Sequence, residues 1–467
     1  MLLTSSVFKE PTLDELWRHQ TTFAHILLCM PDGLCDNPVS SGGIELLDVA
    51  RPIILADWER PRCYLFRVRS LLCGTADAPS KELFETLSLS LPIGAYFFPN
   101  LESLSWIWMA DSRLSCIRTV LSPRITDLHI EIGDTTPISA LSLIPTFAVS
   151  CPELTRVHIS GSEWSNSNLH LRTQTSLLLR MLTRVTTVYV SELDQAAFEH
   201  LATLSTLIQL WVRQEFIPSI QFLDVPHTNL FPCLQTITLW PKTIESVITW
   251  LRFVSDSPLS SLDIEFDNTA VSVIDNDRLC RAVAEHCSTS TLHSLEISAP
   301  ISSWMDHLFA ASPAQYLKSA ALVRLFVFRN FVSSLIGEVA RAWPKLRSLA
   351  LFATCPTHIP RRITLGGLRM PAHHCLELTA VTLEVNALII PTVPCAAEAD
   401  IVHNTLAEIH VGHSPISDVS GVVAKISAEV TFNIDADGEP SGEVSVFQAR
   451  WKAVEDKLTV ERDAAVS

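Results

Sequence analysis

The feature that most constrains this chain is a short pattern that keeps returning. In Trp343-Pro344-Lys345-Leu346-Arg347-Ser348-Leu349-Ala350-Leu351 a proline stands two residues before a leucine, and apolar residues follow three and five steps after that leucine. Leu349 and Leu351 are two apart, so on a strand they share one face while Ser348 and Ala350 point to the other. A proline ahead of the strand is tolerated because it needs no ladder partner there. Phe98-Pro99-Asn100-Leu101-Glu102-Ser103-Leu104-Ser105-Trp106 is a second copy. Others run from Pro123 to Ile130, Pro152 to Ile159 and Pro232 to Leu239. The same spacing without the proline begins at Val185, Leu207, Leu259, Leu292, Leu322, Leu378 and Leu406.

Roughly a dozen copies at intervals of about 22 to 33 residues fall close to the leucine-rich range of repeats. Helix-length segments lie between them. Ile244, Val247, Ile248, Leu251 and Val254 mark one amphipathic stripe; Leu193, Ala197, Leu201 and Leu204 mark another. Leu279 with Val283, and Leu335 with Val339, continue the series. A helix stripe or a strand face cannot be buried by one copy alone, so neighbouring copies stack. The fold class expected is α/β: a leucine-rich-repeat solenoid with a curved parallel sheet inside and helices outside. Val68-Arg69-Ser70-Leu71-Leu72-Cys73 opens the array. Asparagine is mostly absent after the strands, with Asn330 and Asn386 closest, so no continuous asparagine ladder is expected.

Three regions follow: a helical segment over 1–60, the repeats over 61–434, and an acidic loop with a capping helix over 435–467. In the first, Thr12 and Glu15 have capping-box spacing, and Phe23, Ile26, Leu27 and Met30 recur at helical intervals before Pro31-Asp32-Gly33. Residues 36–43 read as a polar loop, and Leu55 to Arg60 as a short capped helix. At the other end, Val444, Phe447, Trp451, Val454 and Leu458 follow helical spacing and cover the end of the array, with Glu461 to Ser467 fraying.

A formal charge of −16 on 467 residues disfavours nucleic acid and anionic membrane surfaces as partners. No apolar run approaches the roughly 20 residues of a membrane span. The first eight residues lack a basic start and an apolar core for a signal peptide, and no Asn is followed two residues later by Ser or Thr. The 12 cysteines include no Cys-x-x-Cys pair and read as reduced and mostly buried. Cys280 and Cys287 fit two core thiols better than a metal or redox pair. The expected compartment is cytoplasmic or nuclear.

No catalytic signature emerges: no Gly-x-Ser-x-Gly elbow, no Gly-rich phosphate loop with Lys, no His-Glu-x-x-His. Asn433 to Gly438 resembles the opening of a calcium loop, but Val444 stands where a bidentate Glu is needed and Pro440 interrupts it. His373-His374-Cys375 and His403, His410 and His413 match no common zinc spacing. The expectation is a protein that is not an enzyme, with no cofactor and no metal. The better candidate is the concave sheet face, formed by residues that alternate with the buried apolar ones. Down the chain these are Asp127, His129, Glu131, Arg156, His158, Tyr189, Gln209, Trp211, Arg213, Trp240, Asp263, Glu265, Glu296, Arg324, Phe326, Phe328 and Phe352. Trp, Tyr and Arg are the side chains that anchor protein interfaces. The alternatives are packing under neighbouring loops, or a register shift, since one slip inverts every face.

Leu16-Trp17-Arg18-His19, Met30-Pro31-Asp32-Gly33-Leu34, Asp57-Trp58-Glu59-Arg60 and Val68-Arg69-Ser70-Leu71 resemble segments of fungal F-box proteins with leucine-rich repeats. The Pro-x-Leu-x-x-Leu strands and Arg450-Trp451-Lys452-Ala453-Val454-Glu455, similar to the family's closing helix, extend the resemblance over essentially the whole chain. It implies a substrate adaptor that holds a protein on its repeats and docks a cullin-type ubiquitin ligase through its F-box. An F-box would need roughly 40 to 50 residues before Leu16, a size set by its packed helices, and only 15 stand there. The partners expected are therefore a protein substrate, with a cullin-ligase linker protein if an F-box lies upstream. The alternative is a free-standing repeat scaffold with no ligase connection.

Overall fold

In the computed structural model the alternation of apolar residues becomes strand after strand in parallel register. The structure describes residues 8–31, 34, 51–74, 81–91, 95–108, 113–133, 136–161, 169–213, 230–266, 273–288, 290–298, 322, 324–328, 333–352, 371, 374–383, 385–388, 408–411, 414, 416–423, 431–433 and 442–466. They divide into two compact units, Met1–Ile220 with Phe231–Cys233, and Gln221–Leu230 with Leu234–Ser467.

In the first unit the elements are α1 (Lys9–Arg18), β1 (His19–Gln20), α2 (Ala24–Leu27), α3 (Glu59–Leu65), β2 (Ser70–Cys73), α4 (Lys81–Ser90) and β3 (Ser103–Trp108). Next come β4 (Asp127–Ile132), α5 (Ile138–Leu141), α6 (Phe147–Ser150), β5 (Arg156–Gly161), α7 (Leu169–Met181), β6 (Thr187–Val190), α8 (Gln195–Thr203) and β7 (Gln209–Val212). The seven strands pair in chain order and every pair is parallel. Burial along β4 alternates strictly, with Leu128, Ile130 and Ile132 inside and Asp127, His129 and Glu131 partly exposed. That is the period-2 pattern read from the sequence.

The second unit holds β8 (Thr236–Leu239), α9 (Ile244–Phe253), β9 (Ser261–Glu265), α10 (Val273–His286), β10 (Ser294–Ser298), β11 (Arg324–Phe328), α11 (Ser333–Ala342), β12 (Ser348–Phe352), β13 (Ala380–Leu383), β14 (Glu408–His410), α12 (Val419–Val423), β15 (Thr431–Asn433) and α13 (Gly442–Val466). Its strands also pair in chain order and parallel. The fold is thus α/β, and the crossovers among the described residues are mainly helical. No helix among the described residues is long and apolar enough to cross a membrane.

Several strands are fastened to the previous one by the same device. The carbonyl just before one strand accepts two consecutive backbone N–H groups from just before the next. Glu102 O accepts from Thr126 N and Asp127 N, Thr126 O from Thr155 N and Arg156 N, and Thr155 O from Thr186 N and Thr187 N. The hydroxyls of Thr126, Thr155 and Thr186 donate to the same three carbonyls, at 3.3, 3.1 and 3.1 Å. Ser260 on Gln235 O and Thr379 on Arg347 O repeat the arrangement in the second unit. A threonine and serine relay thus recurs at the start of these strands.

The helices form where the apolar stripes predict them. Asp194 caps α8 by accepting from Ala197 N at 2.8 Å, and Thr243 caps α9 through Ser246 N. Ile244, Val247, Ile248, Leu251 and Val254 are all buried. The N-terminal segment departs from expectation. Thr12 is not a cap: α1 starts at Lys9, and the Thr12 hydroxyl donates back to Phe8 O at 2.6 Å from inside the helix. The sheet also opens earlier than Val68, because His19 and Gln20 pair with Ser70 and Leu71. Arg67 ties α1 down by reaching the carboxylates of Glu10 and Asp14, and Trp17 stacks on Tyr64 at 4.7 Å. Leu55–Trp58 and α3 form the short helical stretch expected there, with the Asp57 carboxylate held by Arg51 at 2.7 Å on both oxygens.

Behind this segment lies an aromatic core. Phe23 meets Phe84 at 4.9 Å, Trp58 meets Phe97 at 5.3 Å, and all four rings are buried. At the far end, α13 buries Trp451, Val454 and Leu458, and the Trp451 indole donates to Ser414 O at 2.8 Å. The helix continues to Val466, past the point where fraying was expected. The polar loop at 36–43, Asn330, and residues 435–441 of the acidic loop lie outside the described residues.

Candidate functional site

Register decides which side chains meet on a parallel sheet, because Cα partners on neighbouring strands project to the same face. In the first unit His129 is the partner of His158, His158 of Tyr189, and Tyr189 of Trp211. Four positions drawn from four separate repeats therefore form one row. Their rings touch in series. His129 and His158 lie 3.9 Å apart with planes 13° from parallel; His158 and Tyr189 are 3.7 Å apart; Tyr189 and Trp211 meet edge-on at 5.3 Å. Trp211 is 39% exposed at the end of the row.

The two imidazoles lie face to face. Burial, with the neighbouring His129 ring second, pushes the His158 imidazole down to about 3, so it is neutral at ordinary pH. The Nε2 atoms of both rings are buried without a hydrogen bond. His129 Nε2 stands 3.3 Å from Glu131 Oε1, but without hydrogen-bond alignment. Rows of polar residues flank the rings. Arg156 donates to Asp127 Oδ2 from Nη2 at 2.9 Å and from Nε at 3.1 Å. The Thr187 hydroxyl donates to Gln209 Oε1 at 3.3 Å. Arg213 follows β7 and is half-buried, with its backbone N–H on Val190 O.

In the second unit the corresponding row runs Thr238, Asp263, Glu296, Phe326 and Ala350. Glu265 lies two residues along β9 from Asp263 and is opposite Ser298. The Trp240 indole N–H donates to Glu265 Oε2. Burial, then Glu296 and Glu265, pushes the Asp263 carboxyl up to about 7, while its hydrogen bond with Thr238 works the other way. Burial and Glu265 raise Glu296 as well. Along β11 and β12 the register partners are Arg324 with Ser348, Phe326 with Ala350 and Phe328 with Phe352.

Of the seventeen residues read from the sequence, the structure brings together the ring row and the Arg156–Asp127 pair in the first unit, and the carboxylates with Trp240 in the second. The sequence reading missed Thr187 and Thr238, small polar residues at the same offset that hydrogen-bond the larger ones. The signal for both was the offset itself.

Cys280 and Cys287 are both buried and neither is in a disulfide. Among the described residues, no group of three or more His, Cys, Asp or Glu side chains is placed to hold a metal ion. His374 is half-buried, and His410 lies on β14 with Nε2 3.7 Å from Glu408 Oε2. His373, His403 and His413 lie outside the described residues. No family model matches the chain, and no curated protein matches it.

Proposed function

We propose that the chain is a leucine-rich-repeat solenoid of F-box-like descent that holds a protein partner on the open face of its sheet, and that it is a non-catalytic substrate adaptor for a cullin-type ubiquitin ligase. The observation that carries the recognition part is the continuous row His129, His158, Tyr189 and Trp211. Stacked rings on an open sheet face are large, stiff and amphipathic, so little side-chain freedom is lost when they are covered. Hydrogen-bonding residues along both flanks supply direction, which is how an apolar strip with a polar rim recognises another protein. The ligase part rests on the sequence resemblance, and mostly buried cysteines that form no disulfide among the described residues fit a cytoplasmic or nuclear setting.

The test is affinity purification of the tagged chain from a fungal extract, beside a Tyr189→Ala/Trp211→Ala variant. Recovery of a protein that the variant loses, together with a cullin and its linker protein, supports the full proposal. Recovery of such a protein without ligase subunits favours a free-standing scaffold. Equal recovery by both forms, or none by either, overturns the assignment of this face.

A further inference from the structure

We draw no further inference here: the strongest candidate, the cluster of Asp263, Glu265 and Glu296 on the open sheet face of the second unit, is a group of acids with no second feature beside it that says what it would take.

Discussion

The imidazole of His158 lies against that of His129 with ring centroids 3.9 Å apart, although the two residues belong to different repeats. The contact exists because Leu128 and Val157 are buried at matching positions of β4 and β5, which fixes the register one residue later. Sequence distance is cancelled by periodicity. The same relation carries the row on to Tyr189 and Trp211, and this makes the face testable residue by residue.

Trp211→Ala is expected to weaken partner binding at least tenfold, about 1.4 kcal/mol or more, as truncation of an interface anchor does. Stability should change little because the side chain is already part-exposed. Titration calorimetry against the captured partner, with thermal melting in parallel, checks both halves. Val149→Ala, exposed on α6, serves as the control and should leave binding unchanged.

Thr155→Val keeps the shape of the side chain and removes its hydroxyl from Thr126 O. The carbonyl retains two backbone donors, so the loss should be about 0.5 to 1.5 kcal/mol. Urea unfolding should show a lower midpoint with an unchanged slope. No change in midpoint would mean that the hydroxyl relay contributes nothing to stability.

Asp263 gives a pH dependence with a definite sign. Its folded value, about 7, lies above the unfolded 3.8, so the folded state binds its proton more tightly. The contribution favours folding at low pH and is lost as pH rises through roughly 4 to 7. Asp263→Asn should therefore be more stable than the parent at pH 8, by on the order of 2 kcal/mol after solvent screening, with the gap closing near pH 4. Unfolding curves at pH 4, 6 and 8 measure it, and a gap that stays constant with pH would contradict the assignment.

Trp451 separates packing from hydrogen bonding at the C-terminal helix. Trp451→Ala should cost about 3 to 5 kcal/mol, since it empties a fully buried site. Trp451→Phe should cost less, although it leaves Ser414 O without the indole N–H. Limited proteolysis should cut α13 first in the alanine variant.

Cysteine labelling reads the same core chemically. Burial pushes the thiols of Cys73, Cys151 and Cys287 up to about 12 and that of Cys375 up to about 11, whereas Cys63 is exposed. A thiol reagent at pH 8 should label Cys63 before any of those four, and mass spectrometry of the digested protein identifies the order.

The strands were legible because burial on one face forces strict alternation, and nearly every Leu-x-x-Leu copy within the described residues became a strand. The ring row was legible for the same reason: once Leu128, Val157, Val188 and Leu210 are placed inside, His129, His158, Tyr189 and Trp211 must face the other way. Two things escaped. His19 and Gln20 form a strand too short to carry any periodicity, so their pairing comes from β2. Thr12 has the chemistry of a cap, yet a threonine hydroxyl can equally bond the carbonyl four residues back, and spacing alone does not choose. The company that Asp263 keeps also required register, since neither Glu296 nor Thr238 is near it along the chain.

The threonine and serine relay has a consequence for how such a chain can change length. Thr186 uses the carbonyl of Thr155 just as Thr155 uses that of Thr126, so excising one whole period presents the next joint with an equivalent seat. Cutting half a period presents it with a mismatched one. Genes encoding this architecture should therefore drift in size by whole periods, with the joints unchanged on either side of each gain or loss.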